Sequence, residues 1–463
     1  MKRQMNRARL ALVAGAICTF ALAGCEHVKN QLLEPQNPGL VDPSAVGSSL
    51  ASMALRAGAI GRYKQVQTGE GIWQSGGDLA DEYMNADFDA ARINLDQRRT
   101  DPNVDMWNYG PTTQSRGYVR DAIRSMLQYN KDSTALIGEL YAELAFLEMT
   151  LADNFCNGIP LGHTLDGVIT YGEPLMGAQV YDSASAHLDT ALIYSAKAPD
   201  AGSVYINRMA RIWKARALIN LGKYAEAATF VPTSAIPTTY QYNMTFSSTS
   251  GSNGMWTLNT STARIGVADS FAIISGTPTV IKNALPFGSS GDPRVLVVLG
   301  STVGAKPEDG VTSPFYVSNL YKGQFDPLVL ASGIDARLAE AEAKLAANDI
   351  AGMMTILNDL RTNTTRPAIG LNTIPVMAAL PTPADKNAAI TLLFRERGFW
   401  TFGRGQRLAD LRRLVRQYGR TDDQVFPTGQ YFKGGQYGTD ENIPVPNSEQ
   451  VNPLFHGCID RKA

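Results

Sequence analysis

Few residues in this 463-residue chain have the types and spacing that catalysis needs. The four histidines, His27, His163, His187 and His456, are scattered without metal-ligand spacing. No nucleophile elbow, Gly-rich phosphate loop or His-Glu-x-x-His run occurs. Asp78, Asp81 and Glu82 group as a hydrolase pair would, but clustered acids are ordinarily solvated surface, and hydrolysis depends on a carboxylate separation that a sequence does not carry. The set favours binding over turnover and requires no metal or cofactor. The aromatics say more. Trp73 sits in Gly71-Ile-Trp-Gln-Ser-Gly-Gly-Asp78, beside glycines and the polar Gln74, Ser75 and Asp78. Trp256 lies in a Ser/Gly-rich stretch, Tyr240 and Tyr242 alternate along one face of a short strand, and Trp107 precedes a helix. Flat rings beside planar polar groups, held on loops over a rigid frame, suit stacking on sugar rings. Trp73, Asp78, Trp107, Tyr240, Tyr242 and Trp256 are therefore the candidate ligand contacts. Trp213 and Trp400 fall in helical stripes and are expected in the core.

The N-terminus says where these groups would work. Residues 1–9 carry Lys2, Arg3, Arg7 and Arg9 and no acid, and residues 10–22 are almost wholly apolar. This is the pattern of a secretory signal, too short to span a bilayer stably. Leu22-Ala-Gly-Cys25 resembles the bacterial lipobox. That resemblance implies cleavage before Cys25, acylation of its thiol and new amino group by palmitate-like chains, and a lipid-anchored mature chain. Residues 1–24 are then the lipoprotein signal peptide. Residues 25–43, with Pro35, Pro38 and Pro43, are the lipidated N-terminus and an extended tether. Cys156 and Cys458 remain in an oxidising compartment. A disulfide between them would tie the C-terminal tail to the chain near residue 156, and two separate buried thiols are the alternative. A hydrophobic content of 44% with 18% charged residues describes a chain with a sizeable core, and the net charge of −1 gives no global pull toward nucleic acid.

Helical periodicity dominates the rest. Ile206, Met209, Ala210, Trp213, Ala217 and Leu221 lie on one helical face, Gly222 ends it, and a second helix runs from Tyr224 to Phe230. Leu136, Leu140, Leu144, Leu147 and Leu151 form another stripe, with Ile137, Tyr141 and Ala145 beside it. Ile334, Leu338, Ala341 and Leu345 form a third, with its partner over residues 353–360. A further helix is expected from about Asp385 to Phe402. Helix pairs joined by short turns must stack to cover their apolar faces, and Ala217-Leu-Ile-Asn-Leu-Gly-Lys-Tyr-Ala-Glu-Ala227 resembles the tetratricopeptide pattern. Residues 231–327 lose this periodicity and turn rich in Thr, Ser and Gly. They are expected to form a loop-and-hairpin insert on one face of the core, between helical parts at 44–230 and 328–463. The fold class is thus mainly α, a tetratricopeptide-like core with an irregular insert.

Three stretches in the last third resemble the SusD/RagB family of outer-membrane nutrient-binding lipoproteins. They are Ala336-Arg-Leu-Ala-Glu-Ala-Glu-Ala343, the block from Arg395-Glu-Arg-Gly-Phe-Trp to Asp410-Leu-Arg-Arg413, and Asn442-Ile-Pro-Val-Pro446 leading to Asn452-Pro453. Gly158-Ile-Pro-Leu161 and Asp292-Pro-Arg294 are weaker echoes. Arg404 departs from the family's usual Glu. The resemblance implies a non-catalytic, surface-facing lipoprotein of the outer membrane. Such a protein binds oligosaccharide, or peptide in some branches, and delivers it to a SusC-like TonB-dependent barrel transporter. A lipid-anchored helical-repeat scaffold for another envelope protein is the alternative. Residues 395–420 carry eight arginines against Glu396 and Asp410. Behind a secretion signal this is no nucleic-acid site. It is expected to bridge carboxylates and helix ends, with Arg407 as a fork that Lys cannot replace.

Overall fold

The computed structural model describes residues 47–67, 71–104, 108–165, 168–364 and 368–463. The expected signal peptide (1–24), Cys25, the expected tether and Trp107 lie outside the described residues. Residues 52–463 form one compact unit. Twelve helices recur below: α1 (Ser49–Gln67), α2 (Ile72–Leu79), α3 (Ala90–Asp96), α4 (Tyr109–Tyr129), α5 (Thr134–Asn154), α6 (Gly177–Ser195), α7 (Ala201–Asn220), α8 (Tyr224–Phe230), α9 (Gly333–Ala346), α10 (Ile350–Thr362), α11 (Lys386–Trp400) and α12 (Arg407–Tyr418).

Consecutive helices pack as pairs: α4 on α5, α5 on α6, α6 on α7, α7 on α8 and α9 on α10. The apolar stripes dictate this. The α7 stripe of Ile206, Met209, Ala210, Trp213 and Ala217 is buried, and α5 is buried almost all round. Gly222 takes φ +73° to close the α7–α8 turn. Side chains start the helices where the sequence supplies N-caps. Asp200 accepts from Ser203 N at α7, Asp349 from Gly352 N at α10 and Asp385 from Ala388 N at α11. Ser332 and Asp335 form a reciprocal capping box at α9. The core is therefore the tetratricopeptide-like helix stack that the periodicity requires.

Between α8 and α9 the chain forms short strands in two-stranded pairs. The strand Tyr83–Asn85 pairs with Ile265–Val267, Gln241–Met244 with Leu328–Ser332, and Val297–Leu299 with Tyr316–Ser318. Phe271–Ile274 and Thr277–Val280 form a hairpin through Ser275 and Gly276, both at positive φ (+50° and +81°). Residues of this stretch, among them Ile236, Ile265 and Val295, join the main core.

The arginine-rich segment is an internal clamp. Arg407 forks onto Asp81 (Nε–Oδ1 2.6 Å, Nη2–Oδ2 2.8 Å), tying α12 to the turn after α2. Arg397 forks onto Asp410 (2.9 and 2.9 Å), and Arg413 bridges Asp410 and Glu342. Arg412 donates to the carbonyls of Ala152 (2.7 Å) and Asp153 (2.9 Å) at the C-terminal end of α5. Arg294 of the Asp-Pro-Arg element forks onto Asp292 and reaches Glu396 at 2.7 Å. Arg404 pairs with Asp335 of the α9 capping box and donates to Val329 O (3.1 Å), so a cation here holds a helix start. Burial alone would raise Asp410, but Arg397 and Arg413 overrule it and hold the carboxyl at about 2. The Asn442-Ile-Pro segment lies along the end of α5, with Ile443 N donating to Asn154 O and Cys156 N to Ile443 O (both 2.9 Å). Cys156 and Cys458 are joined by a disulfide, Cα to Cα 5.9 Å.

Several candidate ligand contacts prove to be core. Trp73 is 3% exposed, because α2 is buried along its whole length. The glycines read as loop flexibility serve close packing instead. A Cβ at Gly76 would lie 2.3 Å from Asn154 Oδ1, and one at Gly405 (φ +65°) would lie 2.5 Å from the Trp73 ring. Tyr240 and Tyr242 do alternate, but toward the interior. Tyr240 OH donates to Tyr205 O (2.7 Å), Tyr242 OH to Glu139 Oε1 (2.9 Å), and the Tyr242 ring packs on Trp213 at 6.0 Å. Asp78, Asp81 and Glu82 are not solvated surface: each is at most 2% exposed. Trp256 is partly buried against the core. Trp213 and Trp400 are fully buried.

Candidate functional site

A surface cleft of about 540 Å³ opens where four segments distant in sequence meet: residues 87–93, 273–275, 309–311 and 430–434. The strand Tyr83–Asn85, fixed by its partner Ile265–Val267, delivers the first segment. The chain then turns sharply, because Asp89 caps α3 by accepting from Ala91 N (2.9 Å) and Arg92 N (3.0 Å). That turn leaves Phe88 at the rim, 71% exposed. The second segment is the tip of the Ser275-Gly276 hairpin. The third is held by Asp309, whose Oδ1 accepts from Val311 N and Thr312 N (2.9 Å each). The fourth closes on itself through Tyr431 N to Gly435 O (3.0 Å).

The floor is a set of mutually satisfied charges. Lys433 Nζ lies 2.7 Å from each of Asn85 Oδ1, Asp87 O and Asp309 Oδ2. Burial would raise the Asp309 carboxyl, but Lys433 and Thr312 hold it below the usual range. Asp87 pairs with the buried Arg92 and accepts from Asn85 Nδ2 (3.1 Å) and Asp89 N (2.9 Å). Behind the floor, Asp96 accepts from Asn85 N (2.7 Å) and Tyr431 OH (3.0 Å). Burial pushes Asp96 up to about 7 even though these donors and Lys433 pull the other way. Asp78, deeper still, accepts from Gln74 Nε2 (2.8 Å). Burial, then the nearby Asp96, holds it well above the carboxylate range.

The rim is apolar: Phe88, Ile93, Ile273, Ile274, Val311 and the half-buried Phe432. Ser275 and Gln430 supply exposed neutral polar groups. The cleft can thus stack an apolar ligand face and hydrogen-bond its edge. Of the described residues singled out from the sequence as ligand contacts, none lines it. Asp78 is buried away from the cleft, bonded to Gln74, and Trp73, Tyr240, Tyr242 and Trp256 lie elsewhere too. Phe88, Phe432, Lys433 and Asp309 went unnoticed, although the aromatic before the Asp89 cap and the Ser-Gly hairpin turn were readable signals.

Other hollows lie elsewhere on the molecule. An interior void of about 30 Å³ lies among Trp213, Asp335, Arg397 and Arg413, too small for a ring. A second open cleft of about 540 Å³ runs between α4 and the hairpin formed by strands His163–Leu165 and Val168–Thr170, beside Tyr118, Tyr171 and Val451.

No protein-family model matches this sequence, and no curated protein is similar to it. Solved structures are similar to it. A SusD-like protein from Bacteroides fragilis is 15% identical, with a TM-score of 0.58 over 90% of this chain and 98% of that one. A laminarin-binding SusD-like protein is also 15% identical, with a TM-score of 0.57 over 89% and 99%. A SusD-like carbohydrate-binding protein from Bacteroides vulgatus is 13% identical, with a TM-score of 0.60 over 89% and 98%. The chain has the SusD-like fold, helical core and insert included.

Proposed function

We propose that this chain is a SusD-type nutrient-binding lipoprotein. On this reading it is anchored through Cys25 in the outer membrane, faces the exterior, and passes oligosaccharide to a SusC-like TonB-dependent transporter without cleaving it. The SusD-like fold over nine-tenths of the chain supports the class. The observation that carries the binding reading is the exposed Phe88 ring beside neutral polar groups at a cleft to which the insert contributes two of four segments. Lipidation at Cys25 rests on the lipobox resemblance. The test is titration calorimetry of the full chain in detergent against a panel of glycans that includes laminarin. At least one glycan is expected to bind, and Phe88→Ala to weaken it roughly tenfold with folding intact. Unchanged affinity in that variant would move the site elsewhere.

The scaffold reading keeps one observation in its favour. The hairpin around residues 163–170 exposes Leu165, Val168 and Ile169 to solvent, which an envelope partner would cover. If no glycan binds, that reading gains.

A further inference from the structure

Which oligosaccharides the cleft accepts follows from how its charges are spent; this rests on the reading of the cleft as a glycan site. Lys433 has three N–H donors, and three acceptors sit 2.7 Å from its nitrogen: Asn85 Oδ1, Asp87 O and Asp309 Oδ2. A uronate or sulfate approaching it would have to displace one of these, beside two fixed carboxylates that repel it. Arg92, the only other cation against the cleft among the described residues, is buried and already paired with Asp87. The acids are equally committed. Asp309 accepts from Val311 N, Thr312 N, Thr312 Oγ1 and Lys433. Asp87 accepts from Asn85, Asp89 N and Arg92, which leaves little capacity for an amino sugar. The two acids and two bases cancel. What still faces the opening is apolar surface with Ser275 and Gln430, groups that recognise hydroxyls and C–H faces and pay little to be desolvated.

We infer that the cleft selects uncharged oligosaccharides and rejects both acidic and amino-bearing ones. The ion cluster acts as a rigid floor that pins three of the four segments together, those at 87–93, 309–311 and 430–434, and never meets the ligand as a charge.

The full chain in detergent is titrated with neutral glycans (laminarin, starch, xyloglucan), acidic ones (polygalacturonate, alginate, carrageenan) and chitosan, at 50 and 500 mM NaCl. A neutral glycan is expected to bind with an affinity that changes less than about twofold across this salt range, because no ion pair forms for salt to screen. No charged glycan is expected to bind. Binding of an acidic glycan that weakens at least about tenfold in high salt, or binding of chitosan, overturns the inference and leaves the glycan-site reading standing. Failure of every glycan to bind overturns that reading itself and the inference with it.

Discussion

Arg407 shows how much one side chain carries in this molecule. It is buried, and its planar fork meets both oxygens of Asp81 across 326 residues of sequence. Lysine keeps the charge but makes a point contact and gives up one of the two bonds of the fork to this buried carboxylate, whose Oδ2 keeps only its bond from Leu285 N. Arg407→Lys is expected to lower unfolding free energy by about 2–4 kcal/mol in urea titration and to leave glycan affinity unchanged. An unaltered midpoint would contradict this role. Asp96 makes the opposite trade. Its carboxyl keeps a proton to about pH 7 in the folded chain, whereas an unfolded Asp releases it near pH 4. Between those values the native state binds the extra proton, so this group's contribution to stability falls as pH rises through the window and then levels off. Asp96→Asn keeps an acceptor for Asn85 N and Tyr431 OH and removes the loss. Melting temperatures are expected to diverge in the variant's favour from pH 4 to pH 8. A gap that stays constant with pH would refute the assignment.

Helices and their sequence-adjacent partners are legible; contacts between distant segments are not. The α7 stripe, the α7–α8 turn at Gly222 and the Asp385 start of α11 follow from spacing and capping chemistry, because both are local. Trp73 was misread because glycine has two uses. Beside a polar run it suggests a flexible loop, yet in α2 it lets helices touch. Gly405 packs closely in the same way, its left-handed φ and missing Cβ making room for the Trp73 ring. Gly405→Ala strains the backbone and drives a methyl into that ring. It is expected to cost about 2–4 kcal/mol, measured by urea-induced unfolding. A variant as stable as wild type would show that the contact is slack. The arginine cluster is legible as a structural element for a different reason: buried cations must find carboxylates or carbonyls, and the five buried arginines of this segment do.

Taken whole, the molecule places a rigid helix stack beneath irregular segments, and its candidate cleft is assembled from four of them spread over nearly 350 residues, from Asp87 to Gly434. No periodicity links such segments, so the cleft could not be read from the chain, whereas the fold that holds it could. The helical core, with its clamps at Asp81, Asp410 and Glu396, keeps the frame still while loop residues such as Phe88 and Ser275 are free to differ without disturbing it. On the proposed function an oligosaccharide sits over Asn85–Asp87 against Phe88. Hydrogen–deuterium exchange with and without a bound glycan tests it most directly. Protection is expected in residues 85–93, 273–276, 309–312 and 430–434 and not elsewhere. Protection confined to the cleft beside Tyr118 and Tyr171 would contradict the account.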